Sequence, residues 1–273
     1  MASYVAIQRS MHQNAGYSPV VDLSFAAEMT TVPLLEEELS HAIQFMCVAF
    51  QKRASVEGDV YELVCLQSFK PDTNLFLLPN GRWLGGYKPA FYRSYPFALQ
   101  PNNDSGHLEL CIKSDCINFE SSDNDLAFFE KDLSLTPRLQ GLVKFLSDTV
   151  QNRNETLALC KALQEADLIV PWIIRFTEQD ESGNPQTREL EGLYRIDGKA
   201  LKVLSSDKLA SLNKTGALRL AYGQQFSESR LRDLSTLNTT YQKLVEQQSR
   251  QNVPVPEPDL DKLFGDDDGL FSF

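Results

Sequence analysis

Histidine is scarce in this 273-residue chain, and the three present, His12, His41 and His107, lie far apart. None falls in an HExxH or HxH spacing, so the close pairs from which many zinc sites are built are missing. No GxxxxGK[S/T] loop, no GxGxxG after a strand-like run and no GxSxG elbow occurs either. Basic charge is in deficit, with 26 Lys and Arg against 37 Asp and Glu, a net of −11. That balance argues against nucleic acid, whose binding rests on neutralised phosphates, and against docking on anionic lipid. No apolar run approaches the ~20 residues of a membrane helix, so no membrane insertion is expected. Met1-Ala2-Ser3-Tyr4-Val5 lacks the basic and then apolar blocks of a signal peptide. Five scattered cysteines, Cys47, Cys65, Cys111, Cys116 and Cys160, read as reduced thiols of a cytoplasmic protein. The only close pair, Cys111 and Cys116, has no histidine pattern beside it. No catalytic residue, metal ligand or cofactor is therefore expected.

What is present is enough apolar residue, 42%, for a sizeable core. Residues 1–246 are read as one α+β domain. A helix is expected after Thr31 and Pro33, with Glu36-Glu37-Glu38 as its solvated first turn. Strands are expected at 45–50, 60–66, 75–78, 83–87, 95–99 and 108–112, forming a bent, mostly antiparallel sheet in the N-terminal half. The C-terminal half reads as helices plus a second β-hairpin. Its parts are a long helix from Thr136-Pro137, broken near Asn152–Asn154, strands at 170–177 and 189–196, and N-caps at Asp197 and Ser206. A helix end near Gly216 and a last amphipathic helix marked by Phe226, Leu231, Leu234, Leu237, Tyr241 and Leu244 complete the set.

The densest motif runs from Asn74 to Pro89. Pro79-Asn80-Gly81 supplies the restricted and positive φ values of a tight turn. Trp83 and Tyr87 flank Gly85-Gly86, where another group can approach the backbone closely. Tyr92, Arg93 and Tyr95 follow, so Trp83, Gly85, Gly86, Tyr87, Tyr92, Arg93 and Tyr95 form the candidate ligand or partner site. Against it stands the plainer reading of a core hairpin under an aromatic layer. Arg195 and Asp197, flanking Ile196, read as a surface ion pair.

This stretch, together with Phe91-Tyr92-Arg93-Ser94-Tyr95-Pro96-Phe97, Glu191-Gly192-Leu193-Tyr194-Arg195-Ile196-Asp197 and Thr215-Gly216-Ala217-Leu218-Arg219-Leu220-Ala221-Tyr222, resembles the SapC family of bacterial proteins. Tyr4-Val5-Ala6-Ile7-Gln8-Arg9 fits as well, and the resemblance covers roughly residues 1–240. It implies a non-catalytic interaction or structural protein, after the surface-layer association in the family's name. The alternative it implies is a cytosolic accessory protein that binds a peptide or protein substrate beside flavin-dependent halogenase-like or iron-dependent oxygenase-like enzymes. It implies no catalytic residues; an uncharacterised enzyme is the third alternative.

From residue 247 the composition changes. Val253-Pro254-Val255-Pro256-Glu257-Pro258 is a semi-rigid spacer. Residues 254–273 hold six acidic side chains and one Lys, a net of −5 that leaves −6 on the rest. This tail is expected to be disordered. Yet Leu263, Phe264, Leu270, Phe271 and Phe273 recur among its acids, and apolar anchors of this kind suit a segment that docks a protein or peptide partner. A C-terminal export signal is the alternative, and would bring the chain to the cell surface without a signal peptide. Whether the chain is a homo-oligomer is open.

Overall fold

Caps and turns set the element ends in the computed structural model. It describes residues 3–19, 23–55, 58–102, 106–120, 125–179 and 184–250, with side-chain environments up to Leu244. In chain order the elements are β1 (Tyr4–Ala6), α1 (Arg9–His12), β2 (Gly16–Tyr17), β3 (Thr31–Pro33), α2 (Leu39–Ala42), β4 (Cys47–Ser55) and β5 (Gly58–Leu66). Then come α3 (Ala90–Ser94), β6 (Phe97–Pro101), β7 (Leu108–Lys113), β8 (Ile117–Asn118), β9 (Leu126–Ala127) and α4 (Pro137–Glu165). The last are β10 (Ile169–Gln179), β11 (Pro185–Ile196), α5 (Gly198–Lys202), α6 (Ser206–Thr215), α7 (Ala217–Ser227) and α8 (Leu231–Arg250). The fold is α+β, and every strand pairing is antiparallel. The chain divides into two units, Met1–Val21 with Ala90–Asn154, and Asp22–Pro89 with Glu155–Phe273.

The first unit holds two small sheets, ordered β1-β7-β6 and β8-β2-β9. Tyr17, Phe97, Ile112, Phe128, Leu139 and Leu146 fill its core. Tyr17 meets Phe97 edge-on at 5.0 Å between ring centroids, an arrangement that aligns ring edge with ring face.

The second unit carries a five-stranded sheet, ordered β10-β11-β4-β5-β3. The expected second hairpin is β10–β11, and it joins the sheet where Leu193 and Tyr194 pair with Gln51 and Phe50. Helix α7 packs on β4 and β11, and Cys47 to Phe50 are buried beneath it. Two α7 side chains finish the strand's hydrogen bonding from outside the sheet. The Val48 N–H donates to Ser227 Oγ (2.9 Å), and Gln224 Nε2 donates to the Val48 carbonyl (3.3 Å).

Several expectations change. Thr31–Pro33 is a strand, followed by a 3₁₀ turn at Glu36–Glu38 and the short α2. Glu36 and Glu38 in that turn are buried. Each has a partner that proximity in sequence does not reveal: Glu36 pairs with Arg219, and Glu38 accepts from Tyr87. Residues 75–78 and 83–87 form no strands beyond a single bridge between Leu77 and Trp83. Helix α4 runs unbroken through Asn152–Asn154, where Asn152 is itself buried. The last helix starts later than expected, because α7 and a 3₁₀ turn at Glu228–Arg230 precede it. Gly216 is left-handed (φ 88°) and ends α6, a conformation that costs glycine little. The cap of α6 is Ser205, one residue before the expected one.

Candidate functional site

The Asn74–Pro89 motif folds as a knot of local hydrogen bonds. Gly81 takes φ 80° in the turn, the Gly81 N–H donates to the Leu78 carbonyl (2.9 Å), and the Leu78 N–H donates to the Arg82 carbonyl (2.9 Å). Trp83 stacks on Phe76 at 5.5 Å and donates from Nε1 to the Tyr87 carbonyl (3.0 Å). A Cβ on Gly85 would come within 2.8 Å of that indole, and one on Gly86 within 2.3 Å of the Phe45 ring. Trp83, Gly85, Gly86 and Tyr87 are thus brought together, and the aromatic groups use their polar atoms within the fold.

Tyr92, Arg93 and Tyr95 belong to the other unit. Tyr92 is buried, and the Arg93 guanidinium lies over the Phe145 ring at 5.1 Å. The Tyr95 hydroxyl is 4.0 Å from Cys116 Sγ; burial above all, and then that thiol, push its pKa up to about 12. Leu263, Phe264, Leu270, Phe271 and Phe273 lie outside the described residues.

A second site escaped the sequence reading. Where β11 ends and α5 begins, a cavity of about 700 Å³ is lined by Arg195, Asp197, Lys199, Lys202, Tyr222 and Glu228, among others. That volume falls in the usual range for small-molecule pockets. Behind the lining lies Gln224, which is fully buried and ties two lining residues together. Gln224 accepts from the Ile196 N–H (2.9 Å) and donates to Glu228 Oε1 (3.2 Å). Gly198 meets Gln225, whose Nε2 would lie 2.8 Å from an added Cβ, so only glycine fits without displacing it.

Asp197 caps α5 by accepting from the Lys199 N–H (2.8 Å) and the Ala200 N–H (3.1 Å). The Ala200 and Lys199 backbone bonds hold its carboxyl below the ordinary value. Arg195, expected to pair with Asp197, instead reaches Glu228 at 3.3 Å and lies over the Trp172 ring at 5.7 Å. Lys199 and Lys202 are exposed, and neither makes an ion pair among the described residues. Three cations therefore face two carboxylates, a local net of +1 on a chain of net −11. Tyr222, in the lining and 42% exposed, stacks on Phe226 (69% exposed), and Val203 (82% exposed) follows Lys202 in the chain. Such exposure of neighbouring large apolar groups is a feature of recognition surfaces.

The arrangement can hold a carboxylate against the lysines and an aromatic or aliphatic group against Tyr222 and Phe226. Its lining residues include no Ser, Thr, Cys or His. Lys199 and Lys202, three apart in the short helix that follows the Asp197 N-cap, are the sequence signal that was available. Elsewhere, no group of three or more His, Cys, Asp or Glu able to hold a metal ion occurs among the described residues. Among those residues, too, no helix is long and apolar enough to cross a membrane. All five cysteines are free, and only Cys116 is not fully buried.

Fold and site together define an α+β protein with a cationic, aromatic-rimmed surface pocket. A family model described as SapC matches residues 7–234, and the chain belongs to the SapC family. No curated protein matches the chain, and neither does any solved structure.

Proposed function

We propose that this SapC-family chain is an interaction protein that binds a peptide or protein partner without performing chemistry on it. One observation carries this reading, the pocket at the β11–α5 junction. It pairs unbridged lysines with exposed aromatic groups, beside Ile196 and Glu228, which Gln224 ties together. The partner segment it suits carries Asp or Glu beside Leu or Phe. Carboxylates meet Lys199 and Lys202, and the apolar group covers Tyr222 and Phe226. The free state of all five cysteines supports a reducing compartment, and the cytoplasm is the proposed location.

The test is calorimetric titration of the full-length protein with a panel of short peptides that combine acidic residues with Leu or Phe, set against a charge-reversed panel. Acidic-aromatic peptides are expected to bind, with at least ~10-fold loss in a Lys199→Glu, Lys202→Glu protein and weakening at high salt. Binding that ignores both lysines, or favours the basic panel, would overturn the proposal.

A further inference from the structure

We infer that the pocket's resident ligand is the chain's own segment 251–273, folded back onto the Lys199–Lys202–Tyr222 surface. The inference rests on the pocket reading and adds the identity of one occupant.

Charge is the first argument. Residues 254–273 carry six carboxylates and one lysine. The pocket's three cations against two acids form a positive site on an acidic protein. The second argument is the pattern. Leu270-Phe271 follows directly on Asp266-Asp267-Asp268-Gly269, so an apolar pair sits within a few residues of three carboxylates. The pocket offers the same two chemistries side by side, with Lys199 and Lys202 on one turn and Tyr222 and Phe226 beside them.

Reach is the third. Glu228 lines the pocket, and α8 begins three residues later. Its 20 residues carry the chain about 30 Å from that point. The 23 residues after Arg250 span up to about 75 Å when extended. A return over ~30 Å needs less than half that length, so the Pro254–Pro258 spacer can stay extended while Leu270 and Phe271 arrive. Tethering also sets the strength. A linked segment acts at an effective concentration on the order of 1 mM, so an intrinsic Kd of ~10 μM gives about 99% occupancy. An outside partner then has to displace the segment, and apparent affinity for it falls accordingly.

The experiment uses the full-length protein with Phe271→p-benzoylphenylalanine, irradiated over a range of dilutions and mapped by mass spectrometry. The expected result is a cross-link within residues 195–228 in monomeric protein, with a yield independent of concentration. It should drop at least ~10-fold in the Lys199→Glu, Lys202→Glu background and on raising ionic strength from ~0.02 to ~0.5 M. The milder Lys199→Ala, Lys202→Ala protein, checked by circular dichroism, guards against a folding defect in the charge reversal. Cross-links that appear only in dimers and grow with concentration overturn the own-chain assignment in favour of a second copy. Cross-links outside the pocket, or none, overturn it outright. The peptide panel separates the two readings. If acidic-aromatic peptides bind at the pocket while position 271 cross-links elsewhere, only the inference fails. In a full-length Phe264→Ala, Phe271→Ala protein the same peptides should bind at least ~10-fold more tightly than in wild type. No peptide binding in either protein sinks both.

Discussion

Tyr87 Oη donates a 2.6 Å hydrogen bond to Oε1 of Glu38, a carboxylate only 4% exposed and 49 residues away in sequence. The other oxygen of Glu38 accepts from the Leu35 N–H at 3.0 Å, the acidic half of a capping box. His41 stacks on the opposite partner, its ring 5.7 Å from that of Tyr87. One phenol thus ties the aromatic motif to the 3₁₀ turn at Glu36–Glu38. Tyr87→Phe removes that bond and keeps the ring. A loss of about 1–3 kcal/mol is expected, the range for a hydrogen bond to a buried charged group. Urea unfolding with an unchanged midpoint and unchanged slope would show that the bond contributes nothing.

Gly86→Val tests the close approach behind that motif. A side chain there collides with the Phe45 ring, which has to leave its site. Destabilisation of about 1–3 kcal/mol is expected. Adding Phe45→Ala should recover part of it, since the clash disappears with the ring. A double-mutant cycle with no coupling would place the cost elsewhere.

Asp197 links capping to pH. Its pKa is lowered in the folded state by the Ala200 and Lys199 backbone bonds, so between the folded and unfolded values the unfolded chain binds more protons. Stability contributed by the ionised form is therefore present above the ordinary carboxylate range and is lost as pH falls through the folded value. Asn caps about as well as Asp. Asp197→Asn should accordingly stay folded at neutral pH and lose only the acid-side slope due to this group. Asp197→Ala removes the cap and should lower stability at neutral pH, whereas Asp197→Asn should not. Identical acid-side slopes in wild type and Asp197→Asn would remove the argument.

Thiol reactivity should follow burial. Cys116 is half-buried, whereas burial pushes the Cys160 thiol up to about 12 and raises Cys47 and Cys65 strongly. The thiolate is the reacting form. Cys116 is expected to alkylate first at mild alkaline pH, and the other four only as the protein unfolds. Peptide mapping of partly labelled protein checks the order, and early label on Cys47 or Cys160 contradicts it.

Features that depend on a few adjacent residues were legible in the sequence. Pro79-Asn80-Gly81 is a turn because the middle of that stretch needs a restricted φ and its end a positive one, and Gly81 takes φ 80°. Asp197 caps a helix, Gly216 ends one, and the hairpin of β10 and β11 forms where β-branched and aromatic residues flank a turn sequence. The same reasoning failed for Leu75–Leu78 and Trp83–Tyr87. An apolar run there predicts strand, yet most of its backbone bonds close within the motif, Leu75 N–H reaching the Gln67 carbonyl, and no sheet forms.

The sequence by itself determined the α+β class, the family, the acidic balance and these local stops. Each follows from dihedral preference, composition or motif, none of which requires knowing what lies across the fold. Only the tertiary structure decided that Glu36 and Glu38 are buried, because Arg219 and Tyr87, which help offset that burial, are remote along the chain. It alone decided the pocket as well. Gln224 bridges Val48, 176 residues away, to Ile196 and Glu228, and that bridging sets Arg195, Lys199 and Tyr222 around one cavity. Long-range partners such as these are chosen by packing and hydrogen-bond satisfaction in three dimensions, and spacing along the chain carries no record of them.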